Sequence, residues 1–315
     1  MIESAKINPL SNIEQPAAMT PEQEETMLDS AANQQIAKSS EVESLEAFML
    51  DLPQAECPVI HHFGPGTYIR EVNLPAGILA IGHAQRFEQL NIMLTGKVAI
   101  LDTNGEIKEL VAPLIFVGPP GRKVGYVIEP TVWLNVYATE ERDIDKLEEM
   151  FLDKSDSWAL HHAENYAKKS DAHEEDRKDF FEVIKQAGFS PETVREQSEN
   201  LEDQMGMPDG YGAKVTIRPS AIEGRGVFLS ASAEAGELIA PARINGMRTP
   251  VGRYTNHSVN PNAKFILSDT NNIYLVATKY ISGCKGGDFG EEVTVDYRQA
   301  LELSGFSLPN KGEEK

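Results

Sequence analysis

Between Val59 and Thr139 the chain is a succession of short apolar runs: Ile78 to Ile81, Leu90 to Leu94, Val98 to Leu101, Leu114 to Val117, Tyr126 to Ile128 and Val132 to Tyr137. Turn-forming residues interrupt them, among them Thr95-Gly96, Asp102-Thr103-Asn104-Gly105 and Pro119-Pro120-Gly121. Runs this short, so punctuated, cannot supply helical faces and read as strands of a small all-β sandwich or barrel. From Gly210 the pattern returns at Lys214 to Arg218, Gly226 to Leu229, Leu238 to Ala240, Lys264 to Leu267, Ile273 to Thr278 and Val293 to Asp296. The intervening residues 140–206 follow a helical period, as in Glu140 to Phe151 and Glu174 to Ala187 before Gly188, and Ser190-Pro191-Glu192 opens a third helix with a cap and an N-terminal proline. The expected class is therefore mainly β with a helical connector.

Boundaries follow from the same pattern. Residues 1–50 are rich in Glu, Gln, Ser and Ala, have no aromatic residue before Phe48, and are expected to be disordered, with at best a transient helix over Pro21 to Ala37. Residues 51–139 form the first β unit, 140–206 the connector, 207–300 the second β unit and 301–315 a tail expected to fray. A chain of 315 residues accommodates two such domains, each with its own core.

Charge bears on partners. The net charge of −20 is distributed as −7 over residues 1–50, −6 over 51–150, −7 over 151–206 and 0 from 207 onward. Such a chain repels polyanions, so no nucleic-acid partner is expected, whereas a lysine-rich protein segment would be attracted. There is neither a bilayer-length apolar run nor a basic stretch followed by an apolar core at the N-terminus, so no membrane association or secretory signal is expected. Cys57 and Cys284 match no zinc spacing and fit a reducing, cytoplasmic setting.

Three segments in the second β unit carry unusual chemistry. Gly224-Arg225-Gly226-Val227-Phe228 combines two glycines that permit close main-chain approach. Arg253-Tyr254-Thr255-Asn256-His257-Ser258-Val259-Asn260-Pro261-Asn262 gathers side chains that favour backbone hydrogen bonds around one histidine. The third, Gly290 to Tyr297, ends in Asp296-Tyr297. Taken singly, each reads as an ordinary turn or strand end.

Together and in this order, over Val215 to Arg298, they resemble the signature of SET-domain protein lysine methyltransferases, in the compact form of minimal viral or phage members. The resemblance implies S-adenosylmethionine as methyl donor, with Gly224, Arg225, Gly226, Asn256 and His257 at the cofactor and Tyr297 as the catalytic tyrosine. Tyr254 and Tyr274 are candidates to line a channel for the lysine side chain of a protein substrate. Two departures stand out: the insert between Gly226 and Asn256 is short, and no cysteine cluster follows Tyr297. A homo-oligomer, or the first β unit, would then have to complete the substrate wall. A viral origin would place the protein in the host cytoplasm or the virion.

The first β unit resembles the cupin family over roughly eighty residues. In the family's metal-binding spacing this chain offers His83, Gln85 and Gln89 before Gly96, and Val124 stands where a histidine would follow Pro119-Pro120-Gly121. One imidazole, two amides and a valine make a poor divalent-metal site, so no metal is expected. His61 and His62 are expected at the surface, and His161, His162 and His173 in solvated positions. Three functions stay open at this point: a lysine methyltransferase, a non-enzymatic assembly or scaffold protein retaining both β folds, and, weakest, a metal-dependent cupin enzyme.

Overall fold

A strand of thirteen residues, interrupted by bulges, organises the first β body. The computed structural model describes residues 40–101, 106–208, 210, 211 and 213–306. In it, the runs Leu90 to Leu94 and Val98 to Leu101 merge into one strand, β5 (Gln89–Leu101), and the expected turn at Thr95-Gly96 becomes an irregularity within it. Gly96 has φ +93, and a Cβ there would lie 2.4 Å from the Pro130 carbonyl oxygen, so the strand passes its neighbour without a side chain. That neighbour, β8 (Val124–Ala138), fuses two further expected runs through Pro130.

Around this pair lie β1 (Val59–Gly64), β2 (Thr67–Leu74), β3 (Leu79–Ile81), β6 (Ile107–Val111) and β7 (Leu114–Gly118). All pairings are antiparallel: the order is β1-β2-β8-β5-β6, with β3 also on β8 and β7 also on β5. Met93, Val98, Leu110, Val127 and Trp133 form the core of this body. A buried polar pair is built into it: Trp133 Nε1 and Asn135 Nδ2 both donate to Asn91 Oδ1, at 3.0 and 2.8 Å. Satisfied in this way, Asn91 can remain fully buried.

Residues 40–50, at the end of the segment expected to be disordered, are helical (α1), a correction to that expectation; the transient helix placed over Pro21 to Ala37 lies outside the described residues. Leu45, Phe48, Met49 and Leu50 concentrate apolar side chains in this stretch, Phe48 being the first aromatic residue of the chain. The connector contains α2 (Ile144–Phe151), a short β9 (Leu152–Asp153) paired with β4 (Ala84–Gln85), α3 (Asp156–Ala172), α4 (Glu174–Gln186) and α5 (Pro191–Glu199). Ser190 caps α5 by accepting from Thr193 N, and Gly188, at φ +78, follows the end of α4, as their positions in the sequence predict.

The second β body has two four-stranded sheets. One runs β10 (Val215–Pro219), β11 (Arg225–Leu229), β17 (Glu292–Val295), β14 (Asn256–His257); the other runs β13 (Met247–Arg248), β12 (Leu238–Ile244), β16 (Ile273–Ala277), β15 (Ala263–Leu267). The helix α6 (Pro250–Tyr254) leads into β14, and α7 (Tyr297–Leu303) follows β17. Val227, Leu229, Ala240, Val251, Leu275, Val293 and Val295 lie at the centre of their shared core. Glu46–Lys315 make one compact unit, and both β bodies belong to it. The main chain of β1 bonds to the second body, Val59 N donating to Ser230 O at 2.9 Å, and just before it Cys57 N donates to Cys284 O at 2.8 Å.

Candidate functional site

The three motif segments, far apart in sequence, meet at one end of the β10-β11-β17-β14 sheet. β14 pairs with β17 in parallel, Asn256 opposite Thr294 and His257 opposite Val295, the one parallel pairing among the described strands of this body. Because β14 is only two residues long, side chains extend the ladder. Asn262 accepts from Thr294 N at 2.9 Å and donates to Glu292 O at 2.8 Å, and Ser258 N donates to Val295 O at 3.0 Å. Asn262, buried in this arrangement, does the work of a missing strand.

Asn256 joins the first motif to the third. Its Nδ2 donates to Glu223 O at 3.1 Å and Arg225 O at 3.2 Å on one side, and to Glu292 Oε1 at 2.8 Å and Ser220 Oγ at 3.0 Å on the other. The turn between has Gly224 at φ +53, with nothing within 4 Å of where its Cβ would stand. Gly226 has a different reason to be glycine: a Cβ there would meet Glu292 Oε1 at 2.2 Å. Burial pushes the Glu292 carboxyl up, against the opposing hydrogen bonds from Asn256 and Ser220. Arg225 leans away from the cluster, donating to Ile217 O at 2.8 Å.

His257 joins the second motif to the third and is nearly inaccessible. Its Nδ1 accepts from the backbone N of Tyr297 at 3.1 Å, which fixes the proton of a neutral ring on Nε2, and Nε2 lies 3.0 Å from Asp179 Oδ2 on α4. Asp179 also takes both ends of the Arg298 guanidinium, which, with the bond from His257, holds its carboxyl down at about 2 against the opposing effect of burial. Asp296, which precedes Tyr297, is the N-cap of α7 and accepts from Arg298 N at 3.0 Å. The connector therefore reaches the motif directly, a contact for which the sequence offers only an amphipathic helix.

Tyr297 is partly buried; its hydroxyl donates to Thr255 O at 2.9 Å, and its ring stands edge-on to Phe180 of α4 at 5.8 Å. Burial, helped by the charge of Glu292, pushes the phenol up to about 12. Such a phenol stays protonated near neutrality, so it serves as a hydrogen-bonding group and not as a base. Tyr254 packs against the core beside it. Tyr274 alternates with Leu275 on β16, whose side chain is in the core, and so occupies the opposite face; it makes no ring contact with Tyr297 among the described residues. A cavity of about 220 Å³ adjoins the cluster, with Ser258, Asn262 and Glu292 on one wall and Tyr166 and His173 on the other.

Several histidines differ from their sequence expectations. His61 is buried, not on the surface: it lies on the inward face of β1, its Nδ1 2.8 Å from the Tyr68 hydroxyl, while His62 on the outward face meets Glu71. Alternation of side chains along β1 sends the two neighbouring histidines to opposite faces, which is the reason. His162 is stacked on Trp158 and lies 2.9 Å from Asp288, and His173 lies 2.6 Å from Asp176. In the first body, Gln85 accepts from the Tyr137 hydroxyl at 2.8 Å and Gln89 is buried. Among the described residues there is no group of three or more His, Cys, Asp or Glu able to hold a metal ion, and no helix is long and apolar enough to cross a membrane.

No known family profile matches the chain, and no curated protein matches it. Solved structures similar to it include cupin and double-stranded β-helix proteins. KdgF from Halomonas sp. shares 20% identity, with 28% of this chain and 81% of that chain covered, at a TM-score of 0.23. A cupin domain from Bordetella pertussis Tohama I shares 10%, covering 28% of this chain and 98% of its own, at 0.23. A cupin superfamily protein from Desulfitobacterium hafniense DCB-2 shares 12%, covering 30% and 87%, at 0.22.

Proposed function

We propose that the second β body, a SET-like fold, binds S-adenosylmethionine and directs methyl transfer to a lysine side chain of a protein substrate. One observation carries this reading: the Asn256 amide and the His257 ring tie the glycine turn, β14 and the start of α7 into one cluster, with Tyr297 at its centre. An arrangement suited to this donor needs an acceptor for its ammonium, room for main-chain approach and no uncompensated cation beside its sulfonium. The cluster meets these needs. Asn256 Oδ1 accepts no hydrogen bond among the described residues, the space beyond Gly224 is open, and Glu292 supplies the local carboxylate.

S-adenosylmethionine would supply an electrophilic methyl group: the N–C bond to a neutral lysine amine forms as the S–C bond breaks, the neutral thioether leaves, and the methylated ammonium then sheds a proton to solvent. The lysine Nζ must first lose a proton, and entry into a partly buried site lowers its pKa in the required direction. The oxygen of Tyr297, whose proton goes to Thr255 O, keeps lone pairs to accept from the amine N–H and so orients it. Calorimetric titration of the whole chain with S-adenosylmethionine tests the first step, and transfer of a labelled methyl group to poly-lysine tests the second. Asn256→Ala is expected to weaken donor binding, and Tyr297→Phe to slow transfer while binding survives. Absence of donor binding to the wild-type chain would sink the proposal.

A second reading, an assembly or scaffold protein, is favoured by Asp179: both nitrogens of His257 and the Arg298 fork are bonded within the chain. It predicts defined oligomers in light scattering whose size Asn256→Ala and Tyr297→Phe leave unchanged, together with no methyl transfer.

A further inference from the structure

Between the first β body and the second lies a cavity of about 280 Å³ that the methyl-transfer reading does not use. Residues of β2, β3, β5 and β8 line it from the first body, α1 and the connector contribute further side chains, and Thr216, Arg218 and Phe289 are among those from the second body. Much of the lining is apolar, including Val72, Leu74, Ile100, Val127 and Phe289.

The charges in this wall do not balance. Two carboxylates reach it, and both are taken: Glu148 binds Arg218 at 2.7 Å and Lys154 at 2.8 Å, and Glu46 binds Arg122 at 2.9 Å. Arg70 also lines the cavity, yet among the described residues its guanidinium has no ion-pair or hydrogen-bond partner, and its Nε is buried. Lys123 Nζ lies 2.7 Å from the Gln89 amide, whose oxygen accepts from it once the amide is turned so that both of its ends are satisfied, and it forms no ion pair among the described residues. The wall thus carries two cations without a counter-charge in a chain whose net charge is −20. The Nε of Arg70, shut off from water and unpaired, is a buried donor that an anion would satisfy.

Other polar atoms of the wall are also without partners among the described residues: His83 Nδ1, Thr216 Oγ1 and Arg218 Nε, the last two on residues only 3% and 6% exposed. Burial, and then the nearby charge of Arg70, holds His61 at about 3 and His83 at about 4, so both rings are neutral near pH 7 and add hydrogen-bonding capacity without charge. One guanidinium fork, the Lys123 ammonium, a few further donors and broad apolar walls suit an anion carried on an apolar body, a carboxylate before a compact, fully hydrated phosphate.

We propose that this cavity binds a small organic carboxylate, its anionic end on Arg70 with Thr216 and His83 and its apolar remainder against the Val72, Ile100 and Phe289 side chains. The site is made by both β bodies and is independent of the Asn256–Tyr297 cluster. Calorimetry and thermal shift on the whole chain with sodium octanoate, sodium benzoate, benzamide and inorganic phosphate test it. At least one carboxylate is expected to bind at least ~10-fold more tightly than benzamide and to raise Tm, and Arg70→Met to lose that preference. Because the guanidinium has no partner among the described residues, Arg70→Met is expected to melt no lower than wild type without ligand. Should it fail to fold, Arg70→Lys, which keeps the charge and loses the fork, must weaken carboxylate binding at least ~3-fold. Binding of neither carboxylate above benzamide, preference for phosphate over both, or undiminished carboxylate affinity in the folded Arg70 variant would each overturn the assignment.

Discussion

Gly226 and Glu292 face each other so closely that a methyl group on the glycine would stand 2.2 Å from a carboxylate oxygen. Glycine is needed here to seat an acid, and the acid in turn anchors Asn256 at 2.8 Å. Gly226→Ala is therefore expected to cost about 1–3 kcal/mol in urea denaturation, the usual range for overpacking. Combined with Glu292→Ala, it should cost less than the two single changes added together, by about 1 kcal/mol. Additive effects would show that the glycine answers to something other than Glu292.

At Gly96 the obstacle is main chain. A Cβ would meet Pro130 O at 2.4 Å with φ at +93, and a carbonyl in the middle of a paired strand cannot swing aside. Gly96→Ala should destabilise by more than about 2 kcal/mol, without rescue by Thr131→Ala, since removing the Thr131 side chain leaves the carbonyl clash in place. Rescue would locate the clash in the side chain instead.

The pairing of Glu148 with Arg218 ties α2 to β10 and gives the fold an acid-sensitive joint. Burial alone would raise the Glu148 carboxyl, but the charges of Arg218 and Lys154 outweigh it and pull it down to about 2. A depressed carboxylate contributes stability above its unfolded value, here 4.5, and loses it as pH falls towards about 2. The size of this contribution is about 3 kcal/mol. Denaturation midpoints should fall across that window in wild type and change less steeply in Glu148→Gln. Arg218→Met should cost about 3–5 kcal/mol at pH 7, because it strands the acid; a neutral result would mean that Lys154 alone suffices.

Removing the Tyr297 hydroxyl leaves its backbone bond to His257 intact and deletes only the bond to Thr255 O. Tyr297→Phe should therefore fold and lose about 1 kcal/mol. The phenol's folded value of about 12 lies above its unfolded 10, so its contribution is complete below pH 10 and disappears as pH rises through about 12. Absorbance titration should assign to Tyr297 a late-ionising phenol missing from the variant. Ionisation near 10 would contradict the buried placement.

How far the sequence disclosed all this depended on the range of the interactions involved. Local chemistry was legible: the Ser190 cap and the Gly188 stop lie where their residues placed them, because their partners are within a few positions. The motif residues Asn256, His257 and Tyr297 could be read as a group from their order alone. Asp179 could not, since nothing within α4 distinguishes an acid that reaches His257 from one that faces water. Gly96 and Pro130 misled in the same direction, as residues that normally end strands are here tolerated inside long ones by a bulge. Arg70 was invisible for a different reason, being one charge among many until the strands turn it inward.

The hydrogen bonds from Cys57 and Val59 into the second body carry a consequence for topology. They bring the start of the first body against segments more than a hundred residues downstream, so the connector is not the only tether between the halves. A chain nicked within residues 188–206 should therefore remain a non-covalent pair through gel filtration. Expressed as separate polypeptides, the two halves are candidates for fragment complementation, each leaving an uncovered main-chain edge that the other satisfies.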